Sequence, residues 1–186
     1  MPPSCPAGFV GDPKLAPEVQ MLVTNGKSMM LASVNDGDSI PLEPPPQGGF
    51  VMYIGAAVRN VDACNIELAG TLRDPDTGAQ LGYDARNTNL VKGSDGWARS
   101  DPTNNANEAN VNGCPDYTSK DRVNQEFVME MKATDRGKRS ASVSHRVKLI
   151  CDPTLSLADY NECYCACSAD YRLGKCSGFA LDLSVP

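Results

Sequence analysis

An all-β sandwich with a small disulfide-rich C-terminal appendage is the fold class that three features of the sequence predict. From Val123 to Cys151 apolar and polar residues alternate on both sides of a turn signal, the pattern of strands with one face buried. Gly 16 and Pro 14 punctuate the chain into short runs, as a protein of many strands and tight turns requires. Eight cysteines crowd toward the C-terminus and predict disulfides where apolar side chains run out. The sandwich is expected over residues 15–150, after a turn-rich lead-in at 1–14. The appendage is expected over 151–186.

The lead-in Cys5-Pro-Ala-Gly-Phe-Val-Gly11 resembles the closing segment of an EGF-like module, without the cysteine that would have to follow. Val19, Met21 and Val23 alternate, Asn25-Gly26 is a tight-turn dipeptide, and Met30, Ala32 and Val34 alternate again, predicting an opening hairpin. Asn35-Asp36-Gly37-Asp38 is a second turn, followed by a short strand through Ile40 and Leu42. Pro44-Pro45-Pro46 cannot join a sheet interior, because proline lacks the amide donor, and predicts an edge crossing. Gly48-Gly49 releases the chain into 50–58, which is apolar on both parities, as a central strand covered on both faces would be.

Ile66, Leu68 and Leu72 alternate with Glu67, Thr71 and Arg73, and Asp74-Pro-Asp-Thr-Gly78 turns the chain so that 80–87 returns as a partner strand. From Thr88 to Tyr117 the pattern dissolves, with five asparagines between Asn104 and Asn112. An irregular loop of about 30 residues is functional or weakly ordered. Trp97, the only tryptophan, makes it the candidate binding loop together with Asp101, Asn104 and Asn107. Trp97 either plugs the end of the sandwich beneath the loop or presents an aromatic ring at a binding surface.

In the long hairpin, Val123, Phe127, Met129, Met131 and Ala133 share one face of the first arm, and Glu126, Glu130 and Lys132 the other. In the second arm Ala141, Val143, His145, Val147, Leu149 and Cys151 face one way, and Ser140, Ser142, Ser144, Arg146 and Lys148 the other. Between the arms, 134–139 offers Asp135 and Gly137 for a turn. The run from Phe127 to Val147 resembles the last two strands of bacterial immunoglobulin-like and PKD-type extracellular domains. Taken whole, the layout resembles exported bacterial proteins and lipoproteins that pair a sandwich with a Cys-x-Cys-x-Cys tail. The resemblance implies an immunoglobulin-like antiparallel sandwich and an exported protein, whether extracellular, periplasmic or attached to the outer surface. Architecture alone does not imply function. Phe179, Leu181, Leu183 and Val185 alternate and predict a final strand.

Charge and motifs narrow the chemistry. A net charge of −6 and pI ≈ 4.7 exclude the basic footprint that nucleic acid requires. No apolar run reaches the ~20 residues that span a bilayer. No signal peptide precedes the first strand, so export implies a trimmed leader or a natural start other than Met1. Cys5 is then a candidate for lipid attachment or for a disulfide. In the tail, Cys163-x-Cys165-x-Cys167-x8-Cys176 reads as structural disulfides with Cys151 or Cys176 as partners. It also admits a thiolate metal site or half of an EGF-like fold with Tyr171 at the aromatic position. Cys64 and Cys114 are expected to bridge each other, closing a loop worth up to ~4 kcal/mol.

His145, the only histidine, falls on the inward parity and reads as a core residue; a general base would need exposure and an orienting partner. No nucleophile elbow, phosphate loop or zinc-protease motif is present. Asp36, Asp38 and Asp101 can supply oxygens to Ca²⁺, without the spacing of a dedicated loop; no other cofactor is implied. The expectation is a non-catalytic secreted or cell-envelope binding or structural module with a protein or glycan partner, acting through the Thr88–Tyr117 loop or an exposed strand edge. The alternatives are a thiol metal-binding or redox protein using the tail cysteines, and a hydrolase whose acids meet only in space.

Overall fold

The computed structural model describes residues 5, 7–25, 30–104, 107–115, 120–173 and 175–176. In chain order the strands are β1 (Phe9–Val10), β2 (Glu18–Asn25), β3 (Met30–Ser33), β4 (Ser39–Leu42), β5 (Phe50–Arg59), β6 (Val61–Asp62) and β7 (Ile66–Arg73). They continue with β8 (Gln80–Thr88), β9 (Val91–Lys92), β10 (Ala98–Arg99), β11 (Ala109–Cys114), β12 (Glu126–Thr134) and β13 (Ser140–Cys151), and a helix, α1 (Leu157–Ala166), follows. The predicted strand Phe179–Val185 lies outside the described residues.

Two sheets enclose one core. The first runs β3-β2-β5, and the far edge of β5 is shared: β11 pairs with residues 50–54 and β10 with 57–58, with β9 beyond β10. As expected of a central strand, β5 is buried from Phe50 to Val58. The second sheet runs β4-β13-β12-β7-β8. Its centre is the predicted hairpin, with Phe127 opposite Val147, Met129 opposite His145 and Met131 opposite Val143. The inward parity of β12 is buried at Phe127, Met129, Met131 and Ala133. These meet Met52, Ile54, Ile66, Leu68 and Leu72 in one cluster.

Three features depart from an antiparallel sandwich with separable ends. First, β4 pairs with β13 in parallel, from Ser39 beside Lys148 to Leu42 beside Cys151. The crossing comes after it: Glu43 and Val51 exchange both backbone hydrogen bonds at 2.9 Å across the proline turn, so the chain passes there from the second sheet to the first. Second, the sheets close on each other where β8 meets β11. Asn110 N–H donates to Asp84 Oδ2 at 2.8 Å, and a Cβ at Gly82 would strike the Asn112 carbonyl oxygen. Third, both ends pack onto the body. β1 pairs with β6; its Val10 and, just before it, Ala7 enter the core, while Cys163, Ala166 and Cys167 enter it from the tail.

The segment from Thr88 to Tyr117 corrects the expectation of an irregular loop, for β9, β10 and β11 all lie within it. Alternation is hidden because asparagines stand at the exposed or half-exposed positions of β11, while Ala109, Val111 and Cys114 carry its buried face. β11 packs this closely because Gly70 has no side chain, with the Val111 Cγ2 only 2.6 Å and the Ala109 Cβ 3.2 Å from where a Gly70 Cβ would sit.

Candidate functional site

All eight cysteines are paired: Cys5–Cys64, Cys114–Cys167, Cys151–Cys163 and Cys165–Cys176. The expected Cys64–Cys114 bridge is therefore wrong. Cys64 follows β6, where the N-terminal lead-in returns, and Cys114 ends β11 beside the tail, so each meets a cysteine from the chain end that packs on it. Within the tail, Cys151 and Cys176 are the partners expected. The Cys5 sulfur is engaged by Cys64 and is not open to a lipid. A thiolate metal site in the tail meets the same obstacle, because no thiol is free to coordinate. Four disulfides mark an oxidising, extracellular type of environment. Among the described residues no helix is long and apolar enough to cross a membrane.

A helix organises the tail, and sequence periodicity misses it because it has no apolar stripe: Leu157 is exposed and its buried residues are Cys163, Cys165 and Ala166. Bridges and a cap hold it instead. Ser156 Oγ accepts from Asp159 N–H at 3.2 Å and donates to Asp159 Oδ2 at 2.7 Å. The Ser-x-x-Asp spacing was the available signal.

The residues of the candidate loop are not gathered into one site. Trp97 is half-buried and neither plugs the sandwich nor stands free; the Arg59 guanidinium lies 4.8 Å from its ring centroid and is bonded to Glu18 at 2.7 Å. Asp101 accepts from the Thr103 backbone and hydroxyl at 2.9 and 2.7 Å. Asn104 and Asn107 are exposed and linked backbone to backbone. Asp95, locked by two bonds from Arg99 at 2.9 and 2.6 Å, is held down at about 2 by that guanidinium.

His145 keeps its expected face but is only half-buried, and its Nδ1 lies 3.3 Å from Asp36 Oδ1. That oxygen also accepts from Arg146 N–H at 2.8 Å, the bond that most lowers the Asp36 pKa. Asp38 accepts from Asn35 N–H at 2.8 Å. Asp36 and Asp38, two of the three carboxylates expected for Ca²⁺, thus close their own turn and tie it to β13. Among the described residues no three acidic, histidine or cysteine side chains converge as a metal site would. Glu108 is the buried acid that sequence did not single out. It accepts from Thr24 Oγ1 at 2.6 Å. Burial raises its carboxyl to about 7, against the bond from Thr24 and with the Asp101 and Glu43 carboxylates adding to the rise.

The feature with the shape of a binding site is the outer face of the second sheet. Strand register aligns side chains across it. One row reads Tyr83, Thr71, Glu130, Ser144 and the next Ala85, Ala69, Lys132, Ser142. Thr71 and Ala69 on β7 and Ser144 and Ser142 on β13 are short, with the longer Glu130 and Lys132 of β12 standing between them. The resulting groove has a volume of about 430 Å³. One wall is braced by Arg73, whose Nε donates to Glu130 Oε2 at 2.7 Å. The other end carries Tyr83, which is 53% exposed, a large area for an aromatic residue that normally buries most of its ring.

No family model, curated protein or solved structure matches the chain.

The outer parity of β12 and β13 was legible in the alternation of Glu130, Lys132, Ser142 and Ser144. Tyr83 was not, because its place depends on β8 pairing with β7 in one register.

Proposed function

We propose that this chain is a non-catalytic, exported binding module of the extracellular space or cell envelope, with an immunoglobulin-like arrangement of its sheets. Its ligand surface is the outer face of the five-stranded sheet. The supporting observation is the groove itself, in which Tyr83 stands exposed at one end and the short residues Thr71, Ala69, Ser142 and Ser144 flank Glu130 and Lys132. Solvated sheet faces ordinarily carry long charged residues throughout; here short residues leave a concavity, and the disulfides hold the scaffold rigid around it. Rigid presentation lowers the ordering cost of binding. Two packed sheets and the β12–β13 hairpin favour the immunoglobulin-like arrangement, and the parallel β4–β13 pair makes it an unusual one. The partner is an extracellular glycan or protein.

The reading is tested by amide hydrogen exchange of the full chain with soluble neutral polysaccharides, sulfated polysaccharides and extended mixed-charge peptides. The expected result is slowed exchange in 67–73 and 128–134 with one of these probes and no change in the probe's size. Protection confined to 91–114, or depolymerisation of a polysaccharide, would overturn it.

A further inference from the structure

The rows of the outer face restrict what can lie on it. β7 is paired with β8 and β12, and β12 with β7 and β13, so the two strands at the middle of the groove have both backbone ladders occupied. An extended peptide lying over β7 and β12 cannot add there as a further strand, the mode by which sheet edges capture peptides. Recognition has to pass through side chains. Those side chains cancel in charge: Glu67 and Glu130 face Arg73 and Lys132, and Arg73 is bonded to Glu130. A polyanion needs a surplus of cations and finds none. A polycation finds no surplus of acids.

What remains on offer is one exposed aromatic ring and a field of donors and acceptors. The four strands span ~14 Å from β8 to β13, long enough for a chain of a few rings. Tyr83 provides a flat apolar surface at one end. Glu130 accepts hydrogen bonds, Lys132 donates them, and Ser142 and Ser144 do both. Bonds to the charged groups are the strong ones. An uncharged molecule that is apolar on its faces and lined with hydroxyls along its edges meets each of these features at once.

On these grounds we infer that the groove is a binding site for an uncharged oligosaccharide, one ring stacked on Tyr83 and its neighbours bonded to Glu130, Lys132, Ser142 and Ser144. The inference rests on the binding-module reading and names its ligand class.

Affinity electrophoresis of the full chain in gels containing a β-glucan, a xylan or a galactomannan tests it, with a sulfated polysaccharide and a soluble mixed-charge peptide as separate arms. Retardation by at least one neutral polymer is expected. Tyr83→Ala should weaken it by about tenfold or more, equivalent to about 1.4 kcal/mol. Tyr83→Phe, which keeps the ring, should stay within about twofold of the parent, and Lys132→Ala should weaken binding without changing the unfolding midpoint. Binding of the sulfated polymer or the peptide alone, with strands 67–73 and 128–134 protected from exchange, overturns the saccharide and leaves the binding face standing. Neutral-polymer binding unaffected by either alanine variant places the site elsewhere and overturns the inference. No retardation and no protection with any probe overturns both readings.

Discussion

Cutting the bridge between Cys114 and Cys167 removes the disulfide that ties the first sheet to the tail. One sulfur ends β11 and the other caps α1. Their separation is 53 residues, for which loop-closure entropy gives ~4 kcal/mol at 25 °C. The Cys151–Cys163 bridge, with separation 12, already short-circuits part of that loop and cuts its effective length to about 41 residues. Because the entropy follows the logarithm of length, the term falls by only ~0.2 kcal/mol. Both sulfurs are buried, so Cys114→Ala with Cys167→Ala adds cavity costs of about 1 kcal/mol each. The double variant should lose about 4–6 kcal/mol, a large fraction of an ordinary domain's stability. Urea unfolding followed by circular dichroism is the assay. The midpoint should fall and the slope should steepen, because an unfolded chain with one fewer cross-link exposes more surface. Thiol titration of the unfolded, unreduced variant should find none free, showing that the other three bridges have formed. A loss below about 1 kcal/mol with an unchanged slope would refute the entropic reasoning.

Two further perturbations test the interior. Glu108 holds its proton in the folded chain up to about pH 7, whereas an unfolded glutamate releases it near its ordinary value of 4.5. Between those values the folded state binds more protons than the unfolded one. Stability therefore falls as pH rises through that window, by at most about 1.4 kcal/mol per pH unit. Glu108→Gln should flatten that decline in a series of thermal midpoints, and an unaltered slope would show that Glu108 is not its source. At the seam between the sheets, Gly70→Ala should cost about 1–3 kcal/mol by pressing on Val111, and Gly82→Ala more, because it meets the Asn112 backbone carbonyl, which cannot rotate away. Equal, near-zero costs in urea unfolding would mean that β8 and β11 do not approach so closely.

Much of the architecture was readable because it depends on local repetition. The alternation of 126–134 and 140–151 specified both arms of the hairpin and which side of each is buried, since side-chain direction in a strand follows sequence parity. Full burial of β5 was likewise visible in an apolar run on both parities. The reading failed where the signal is not periodic. β11 looks like loop because asparagines stand at its outer positions, and it is held as a strand by β5, whose paired residues lie 55 to 64 positions earlier, from Ala109 beside Ile54 to Cys114 beside Phe50. Helix α1 has no apolar face, and its order comes from Cys151–Cys163 and a serine cap.

The sequence by itself determined a β-rich chain with its cysteines in disulfides, and hence an oxidising environment. Those conclusions follow from composition and from parity, which are properties of neighbours along the chain. Only the tertiary structure decided which cysteines meet, because a bridge needs two Cβ atoms a few ångströms apart, and that distance is set by how the ends of the chain pack. It also decided the groove. Tyr83, Thr71, Glu130 and Ser144 come from four strands and stand in one row through pairing register alone, which no local pattern in any one of those strands encodes.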